Sequence, residues 1–283
     1  RAIVVTAGES LSFGMKQMYR LKQSRLKLEV PFMAGRSFLA RGKGTPIPDV
    51  KKNPGDMAII SHTGGTTGEP KGVMCSDMNI KAIIWQVGTA LPHERQERML
   101  VVLPPFINYS LTNSMLEPLA LGITIILVPN YIPKNFVQYV HRYKPNHVNS
   151  IPPYWEAIMD EAILKGADFS CLKHIYYGGE GMSIESEQVV SQQLIDHGAQ
   201  NPLNKGFGET ELISSATLSF GANNLLGSVG VPLPKMIIKA VEPESNEEKK
   251  LNEKELNDEE LDKVAGGTGS LETLYNWLEP RGY

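Results

Sequence analysis

Cysteine is scarce in this chain, and so are excess positive charge and long apolar runs. Only Cys75 and Cys171 occur among the 283 residues, too few for a disulfide framework and typical of a reducing compartment. The net charge of −3 offers no electrostatic reason to bind nucleic acid or an anionic membrane. No stretch approaches the roughly 18 consecutive apolar residues of a membrane span. The sequence therefore predicts a cytoplasmic protein with no nucleic-acid partner and no membrane span.

The hydrophobic content of 41% and the charged content of 21% are those of a globular protein. Short apolar runs alternate with helical segments of roughly 10 to 15 residues, a pattern typical of βαβ units. We therefore predict an α/β fold in which a mostly parallel sheet is flanked by helices. The strands expected in this region are 99–103, 124–128, 147–151 and 174–177, and the helices are 136–143 and 154–165.

Further elements are predicted on either side of these units. A strand is expected at 2–6, a basic amphipathic helix with a solvated face at about 14–28, and an irregular connection at 34–55. That connection ends in the turn sequence Asn53-Pro54-Gly55. A buried strand follows at 57–60, a helix with a capping residue at 76–86, and a last strand at 236–241.

A loop rich in glycine and threonine follows the strand at 57–60. It reads Ser-His-Thr-Gly-Gly-Thr-Thr-Gly-Glu-Pro-Lys-Gly-Val over residues 61–73. Gly65, Gly68 and Gly72 allow positive φ and a close backbone approach, so that several N–H groups can converge on an anion. Hydroxyl donors and one mobile positive charge complete a predicted phosphate cradle. Its expected members are Thr63, Gly64, Gly65, Thr66, Thr67, Gly68 and Lys71.

Two other interpretations of this loop are open. Gly65 and Lys71 have the spacing of a Walker loop, but Pro70 precedes the lysine and removes an N–H. Gly72 follows the lysine, where a Walker loop carries a hydroxyl that binds Mg²⁺. The second interpretation is a flexible surface loop without a ligand. Every position from Thr63 to Gly72 fits the pattern of a phosphate-binding loop, which favours the phosphate cradle.

The loop resembles the signature loop of the adenylate-forming (AMP-binding) enzymes, Thr-Ser/Gly-Gly-Thr/Ser-Thr-Gly-x-Pro-Lys-Gly. Residues 204–211, Asn-Lys-Gly-Phe-Gly-Glu-Thr-Glu, resemble a second motif of that family, with Phe207 in place of the usual tyrosine. Gly178-Gly179-Glu180 lies between the two in the family's order, and 227–234 resembles a later family segment. The residues and spacing of these motifs are most similar to those of bacterial acyl-CoA synthetases.

The resemblance implies roles for individual residues. Phe207 would stack on adenine, Thr210 would contact the α-phosphate and Glu211 would bind Mg²⁺; Lys71, Thr210 and Glu211 would form the catalytic set. An aromatic face suits a purine, and a carboxylate suits a hard cation. The further nucleotide-binding residues implied are Gly178, Gly179, Glu180, Gly206 and Gly208.

The segment 103–110, Leu-Pro-Pro-Phe-Ile-Asn-Tyr-Ser, falls where the family carries Leu-Pro-x-Phe-His-x-x-Gly beside its acyl pocket. Phe106, Asn108 and Tyr109 are therefore candidates for the wall of that pocket. Ile107 and Ser110 depart from the family pattern. An ordinary connection between a strand and a helix is the alternative interpretation.

The reaction implied joins a small carboxylic acid to ATP, forms an acyl-adenylate and pyrophosphate, and then transfers the acyl group to coenzyme A. Mg²⁺ and Lys71 would neutralise the triphosphate. The resemblance covers residues 1–245, part of the family's large domain. The 283 residues contain neither the family's ribose-binding Asp motif nor its small domain with a catalytic Lys. The alternative is a nucleotide-binding remnant, or a truncated or fused chain, without turnover.

The tail of the chain differs in composition from the residues before it. Residues 246–263 hold eight acids against four lysines, which indicates a solvated acidic segment. A second interpretation is that 246–267 is leader-like, because Glu255 to Gly267 resembles the end of bacterial leader peptides that are cleaved after a double glycine. Apolar side chains at Leu256, Leu261 and Val264 would then dock in a processing enzyme. A peptidase or modifying enzyme would be the partner, and 268–283 would form a separate C-terminal tail.

Scattered histidines and cysteines give weak metal signals. Cys171 and His174 have a Cys-x-x-His spacing, but a structural zinc site needs four ligands and no second pair lies nearby in the sequence. His141 and His147 have no cysteine or carboxylate at ligand spacing. They are predicted to be structural or exposed, and no metal other than Mg²⁺ is expected.

Overall fold

The computed structural model describes residues 2–4, 17, 32–47, 49–63 and 70–239. The chain divides into two compact units, residues 1–52 and residues 53–283. Among the described residues, no helix has the length and apolar character needed to cross a membrane.

The described part of the first unit holds two strands and a helix. Strand β1 (Ala2–Val4) pairs in parallel with β2 (Phe32–Ala34), and helix α1 covers Gly35–Gly42. The predicted strand at 2–6 is therefore present over its described residues, whereas the predicted basic helix at 14–28 lies outside them apart from Gln17. The prediction of an irregular connection at 34–55 was wrong for the residues of α1. Glycine and proline become frequent only from Gly42 onward, so the residues before it can form a helix.

A seven-stranded sheet forms the centre of the second unit, in the order β11-β10-β9-β8-β7-β5-β6. Neighbours from β5 to β9 pair in parallel, and β10 and β11 are antiparallel additions. The predicted α/β fold with a mostly parallel sheet is confirmed. The strands are β5 (Arg98–Val101), β6 (Thr124–Leu127), β7 (His147–Ser150), β8 (His174–Tyr177), β9 (Asn204–Gly208), β10 (Ser215–Leu218) and β11 (Val231–Pro232).

Helices cover both faces of this sheet, so its central strands are buried on both sides, and every residue of β7 is buried. On β8, Ile175 and Tyr177 enter one core cluster and Tyr176 enters the other, as the alternation of side chains along a strand requires. The helices are α2 (Asp77–Ala90), α3 (Asn108–Ser110), α4 (Glu117–Leu121), α5 (Phe136–Tyr143), α6 (Pro152–Glu156) and α7 (Ile184–Asp196). A π-helix, Leu111–Leu116, joins α3 to α4.

A separate two-stranded antiparallel sheet carries the glycine- and threonine-rich loop. It consists of β3 (Met57–His62) and β4 (Gly72–Ser76), and β4 was not predicted. The prediction that β3 is buried was wrong, because Met57 is 57% and Ile60 is 51% exposed. The loop therefore joins two antiparallel strands, whereas a Walker loop joins a strand to a helix.

Two predicted elements differ from the structure. The helix expected at 154–165 is limited to α6 and a 3₁₀ turn, Ala157–Met159, because Asp160 takes an extended conformation and its carboxylate accepts a hydrogen bond from Ala162 N. The strand expected at 236–241 is absent from its described residues, 236–239. The Asn53-Pro54-Gly55 turn is confirmed by a hydrogen bond of 2.9 Å from Asp56 N to Asn53 O.

Candidate functional site

A cleft opens at the carboxyl ends of β8 and β9, where open α/β sheets bind ligands. Gly178 follows the last residue of β8, and Gly208 ends β9. The cleft has a free volume of about 190 Å³. Its lining consists of Ile107, Asn108, Tyr109, Gly178, Gly179, Gly206, Phe207, Gly208, Glu209, Thr210, Ser214 and Ser215.

Glycine is required at two of these positions, Gly178 and Gly208, because other backbone atoms approach closely, and a third, Gly206, packs tightly against a side chain. A Cβ at Gly178 would lie 2.9 Å from Gly206 O, and one at Gly206 would lie 2.8 Å from Leu218 Cδ2. A Cβ at Gly208 would lie only 1.8 Å from Ser214 O. None of the three has a positive φ. The motif glycines therefore let β8, β9 and β10 pack closely beside the cleft.

The connection from β9 to β10 presents the polar residues of the second motif. A 3₁₀ turn covers Thr210–Leu212, and Ile213 follows with φ of 71°, a conformation that is rare for a β-branched residue. Thr210 is half-buried at the cleft wall, and Phe207 is 43% exposed beside it. An aromatic face and a hydroxyl group are thus presented together, which suits a purine and a phosphate.

Asn108 connects the two motif regions. This buried side chain accepts a hydrogen bond from Ser61 Oγ, at the end of β3, and its Nδ2 donates to Thr210 O over 3.4 Å. Sequence reasoning assigned Asn108 to an acyl-pocket wall and missed this bridge. Its partners lie 47 and 102 positions away, so no local spacing could have indicated them.

A hydrogen-bonded network of buried polar side chains supports the floor of the cleft. Asn113, within the π-helix, donates from Nδ2 to Ser215 Oγ over 2.7 Å and accepts from Ser214 Oγ over 3.2 Å. Asn149 donates to Asn113 O over 2.9 Å. Because π-helical turns occur often at functional sites, this segment fits a ligand-binding floor.

The neck of the glycine- and threonine-rich loop is held closed by two hydrogen bonds. Thr63 N donates to Lys71 O over 3.0 Å, and Lys71 N donates to Thr63 Oγ1 over 3.1 Å. Gly72 begins β4 and does not have a positive φ, so the prediction of a left-handed backbone conformation was wrong at this residue. Glycine here instead leaves space for a neighbouring side chain, because a Cβ would lie 3.1 Å from Ile60 Cγ2. The predicted residues outside the described part of the chain are Gly64, Gly65, Thr66, Thr67 and Gly68.

The structure brings together most of the other predicted site residues. Those that line the cleft are Gly178, Gly179, Gly206, Phe207, Gly208 and Thr210. Lys71, Glu180 and Glu211 are exposed and do not line it. Of the acyl-wall candidates, Asn108 and Tyr109 line the cleft, whereas Phe106 lies outside it with 82% of its surface exposed.

Three histidines lie together at the opposite ends of the strands. His141 is exposed and His147 is buried, which agrees with the prediction that they are structural or exposed. His147 nevertheless pairs with a carboxylate far away in the sequence. Its Nε2 lies 2.6 Å from Glu97 Oε2, and both side chains are buried. Sequence reasoning missed this pair because its members lie 50 positions apart. Burial and the neighbouring His93 and His174 lower the pKa of His147 to about 3, so its imidazole is neutral at pH 7.

The fold and the cleft define an α/β domain with a candidate ligand site at the carboxyl ends of its parallel strands. Over residues 6–255 the chain matches the family model described as AMP-binding enzyme. The chain belongs to the AMP-binding enzyme family.

Individual relatives agree with this membership. The chain is 29% identical over 266 residues to a long-chain-fatty-acid–CoA ligase of Haemophilus influenzae, an alignment that covers 87% of this chain and 45% of that protein. ATP-bound MatB from Rhodopseudomonas palustris is similar in structure, with a TM-score of 0.66, 17% identity, and coverage of 77% and 43%. The anthranilate CoA ligase AuaEII in complex with anthranoyl-AMP gives a TM-score of 0.67 at 17% identity, with coverage of 86% and 46%. The chain thus spans about half the length of these proteins or less.

Proposed function

We propose that this domain binds ATP with Mg²⁺ and activates a carboxylic acid as an acyl-adenylate, on the route to a coenzyme A thioester. The observation that carries the proposal is the assembly of Gly178, Gly206, Phe207 and Thr210 in one cleft at the carboxyl ends of the strands. Fatty-acid and anthranilate CoA ligases among the relatives support this reaction class.

Each proposed role is the one that the family resemblance implies, and the chemistry of the side chain suits it. Phe207 stacks on adenine, and the hydroxyl of Thr210 donates to the α-phosphate. Thr66, Thr67 and Lys71 bind the β- and γ-phosphates, and Glu211 binds Mg²⁺. Since these groups position charges around the triphosphate, catalysis would come mainly from orientation and electrostatic stabilisation of the leaving pyrophosphate.

The acid would enter beside Asn108 and Tyr109. Burial raises the pKa of Tyr109, so its phenol stays neutral and presents no negative charge to an incoming carboxylate. Asn108 already connects the end of β3 with Thr210. A shift of this side chain would therefore couple the acid site to the phosphate contacts.

A second candidate function is nucleotide binding without turnover. The chain spans 45% of the length of the Haemophilus influenzae relative, and this alternative applies to that span by itself. The family's ribose-binding Asp motif and catalytic Lys domain are not found within the 283 residues. Under this alternative, ATP binds in the same cleft but no acyl-adenylate forms.

Calorimetric titration with ATP and Mg²⁺ tests the binding step. Lys71→Ala and Glu211→Gln should each weaken ATP binding at least about tenfold, since each removes a charge-assisted contact. Lys134→Ala and Glu185→Gln, at exposed positions outside the cleft, serve as matched controls and should bind like wild type. Equal affinities for all five proteins would reject the assigned roles.

Exchange of labelled pyrophosphate into ATP, tested across a panel of carboxylic acids, separates the two candidate functions. Acid-dependent exchange requires formation of the adenylate, because pyrophosphate must be released and recaptured. Tight ATP binding without exchange for any acid would support nucleotide binding alone.

The tail is proposed to serve a separate purpose. Residues 246–267 would be bound by a processing peptidase or modifying enzyme, and cleavage would follow Gly267. The proposal rests on the resemblance of Glu255 to Gly267 to double-glycine leader peptides, and these residues lie outside the described part of the chain. A cytoplasmic location is proposed for the whole chain on its two cysteines.

A further inference from the structure

Three of the six histidines of the chain converge at the amino ends of β7 and β8. His147 and His174 are the first residues of these strands and face each other across the parallel pair. Their rings stack with centroids 4.9 Å apart, and the ring of His93 lies 4.9 Å from His147 and 5.5 Å from His174. One ring nitrogen from each lies within 4.8 Å of the other two.

Each Nε2 atom lies close to an oxygen atom. His147 Nε2 lies 2.6 Å from Glu97 Oε2, His93 Nε2 lies 2.7 Å from Glu117 Oε1, and His174 Nε2 lies 3.1 Å from Pro92 O. With the Nε2–H of His147 and of His174 donated to these oxygens, the lone pair of each of these two rings resides on Nδ1, whereas the His93–Glu117 contact lacks hydrogen-bond geometry. Histidines that bind metals show this arrangement, in which a carboxylate or carbonyl fixes the tautomer and the ring orientation.

Three of the ring nitrogens have no hydrogen-bond partner that would explain their burial. Both nitrogens of His93 and Nδ1 of His147 are buried and make no hydrogen bond to any described residue. Buried polar atoms are normally satisfied, and a bound ion is one recognised reason for an exception. A cavity with a free volume of about 20 Å³ adjoins all three histidines, which is enough for one water molecule or one ion.

The surrounding charges favour a cation over an anion at this place. Glu97 and Glu117 contribute two carboxylates, and Lys173 contributes one ammonium group, 2.8 Å from Glu97 Oε1. The site thus presents imidazoles backed by carboxylates.

We propose that His93, His147 and His174 bind one divalent transition-metal ion of the Zn²⁺ type. Three imidazole nitrogens suit Zn²⁺ better than Mg²⁺ or Ca²⁺, which prefer oxygen ligands. In a tetrahedral zinc site the nitrogens lie about 3.4 Å apart, so the three rings would draw together around the ion. Because the lone pair of an imidazole lies in the plane of its ring, the stacked rings of His147 and His174 would also rotate relative to each other. Glu97, Glu117 and Pro92 O then act as positioning groups behind the ligands.

This site lies at the other ends of the strands from the proposed nucleotide site, although the cavity beside the histidines shares Tyr109, Gly206 and Ser215 with the lining of the cleft. His147 and His174 begin β7 and β8, whereas Gly178 and Gly208 lie at the carboxyl ends of strands in the same sheet. A bound ion would link the 92–97 connection to the two central strands. Its effect would be on the stability of the sheet, so its test needs no enzymatic activity.

The test uses the full 283-residue chain, stripped of metal with a chelator and then dialysed. Equilibrium dialysis with ZnCl₂ should give one bound ion per chain. Substitution by Co²⁺ should produce the visible absorption typical of tetrahedral cobalt. The temperature of the unfolding midpoint should rise when Zn²⁺ is added back.

Variants assign the ion to this cluster. His93→Gln and His174→Gln should weaken zinc binding more than 100-fold, and Glu97→Gln should weaken it about 10- to 100-fold as a positioning residue. The exposed His141→Gln is the matched control and should bind zinc like wild type. His93→Gln and His174→Gln affect half-buried residues, so circular dichroism can establish that they remain folded even if His147→Gln does not. A stripped chain that binds less than one Zn²⁺, or folded cluster variants that bind it as tightly as His141→Gln, would overturn the proposal.

Discussion

Gly208 shows how a single hydrogen atom in place of a side chain shapes the candidate site. It ends β9, and the carbonyl oxygen of Ser214 occupies the space where a Cβ would lie, at 1.8 Å. That close approach brings Thr210 and Phe207 to the same wall of the cleft. The requirement for glycine here is therefore steric and does not depend on a left-handed φ.

Gly208→Ala should destabilise the fold by about 1–3 kcal/mol, because the methyl group forces β10 away from β9. ATP affinity should also fall, since Thr210 moves with the turn. Denaturant unfolding and calorimetry measure the two effects. Gly181→Ala is the matched control: a Cβ there meets no atom within 4 Å, and its free energy of unfolding should change by less than about 0.5 kcal/mol. Similar behaviour of the two variants would contradict the steric explanation.

A buried ion pair beneath the cleft provides a second prediction at the scale of residues. Lys205 Nζ contacts Glu187 Oε1, and Tyr177 OH donates to Glu187 Oε2 over 3.0 Å. The lysine and glutamate side chains are 4% and 3% exposed. The pair joins α7 to β9, the strand that carries the second motif.

Glu187→Ala should lower the free energy of unfolding by about 3–5 kcal/mol, because it leaves the Lys205 charge buried without its counter-ion. Urea unfolding followed by circular dichroism measures the loss. Gln188→Ala, at the exposed neighbouring position on the same helix, should change stability by less than about 0.5 kcal/mol. A loss below about 1 kcal/mol for Glu187→Ala would mean that water reaches the lysine.

At the scale of elements, helix α2 depends on its first residues. Ser76 precedes the helix, its Oγ accepts from Asn79 N over 3.2 Å, and Asn79 Oδ1 accepts from Ser76 N over 3.0 Å. This reciprocal capping satisfies two backbone donors that would otherwise lack partners. The helix in turn packs Ile83 and Val87 into the cluster that includes Tyr176 of β8.

Ser76→Ala should therefore cost about 1 kcal/mol of stability, since the cap is lost without replacement. Ser76→Gly should cost only a few tenths of a kcal/mol, because water can reach the freed N–H groups and glycine tolerates the cap conformation. Thermal unfolding of the two variants gives the comparison. If Ser76→Ala and Ser76→Gly both lowered the stability by only a few tenths of a kcal/mol, the hydrogen bonds of the Ser76 side chain would contribute little to the stability of α2.

The elements that could be predicted from sequence are those whose local pattern agrees with their packing. Helix α5 and strand β8 have the predicted bounds, because Phe136, Val137 and Val140 recur on one helical face and β8 is a short apolar run before two glycines. The helix expected at 154–165 has a similar apolar pattern. It is interrupted where the Asp160 carboxylate accepts a backbone hydrogen bond.

The candidate site likewise has one part that could be predicted from the sequence and another that could not. The glycine and threonine motifs are local, so the gathering of Gly178, Gly206 and Thr210 could be predicted from their order and the α/β pattern. The bridge through Asn108 and the pairing of His147 with Glu97 depend on residues 47 to 102 positions apart. Such contacts are created by the tertiary fold, and no periodicity in the sequence encodes them.

At the scale of the whole molecule, the two ends of the parallel strands carry different chemistry. The carboxyl ends present glycines, a hydroxyl and an aromatic ring, whereas the amino ends of β7 and β8 present imidazoles backed by carboxylates. The proposed nucleotide contacts all fall between Thr63 and Glu211. The acidic tail from residue 246 onward therefore contributes none of them.

Removal of the last 16 residues, Thr268 to Tyr283, should accordingly leave ATP affinity unchanged within about twofold. We expect a double-glycine-specific peptidase to cut after Gly267, because two residues without side chains fit a narrow protease channel and nearby apolar residues can anchor a helix in a groove. Mass spectrometry identifies the cut, and calorimetry on the digested protein measures ATP binding. Gly266→Leu, which places a side chain in the channel, should abolish cleavage while ATP binding persists. Resistance of the wild-type chain, or cleavage of both proteins alike, would show that the double glycine is not a processing site.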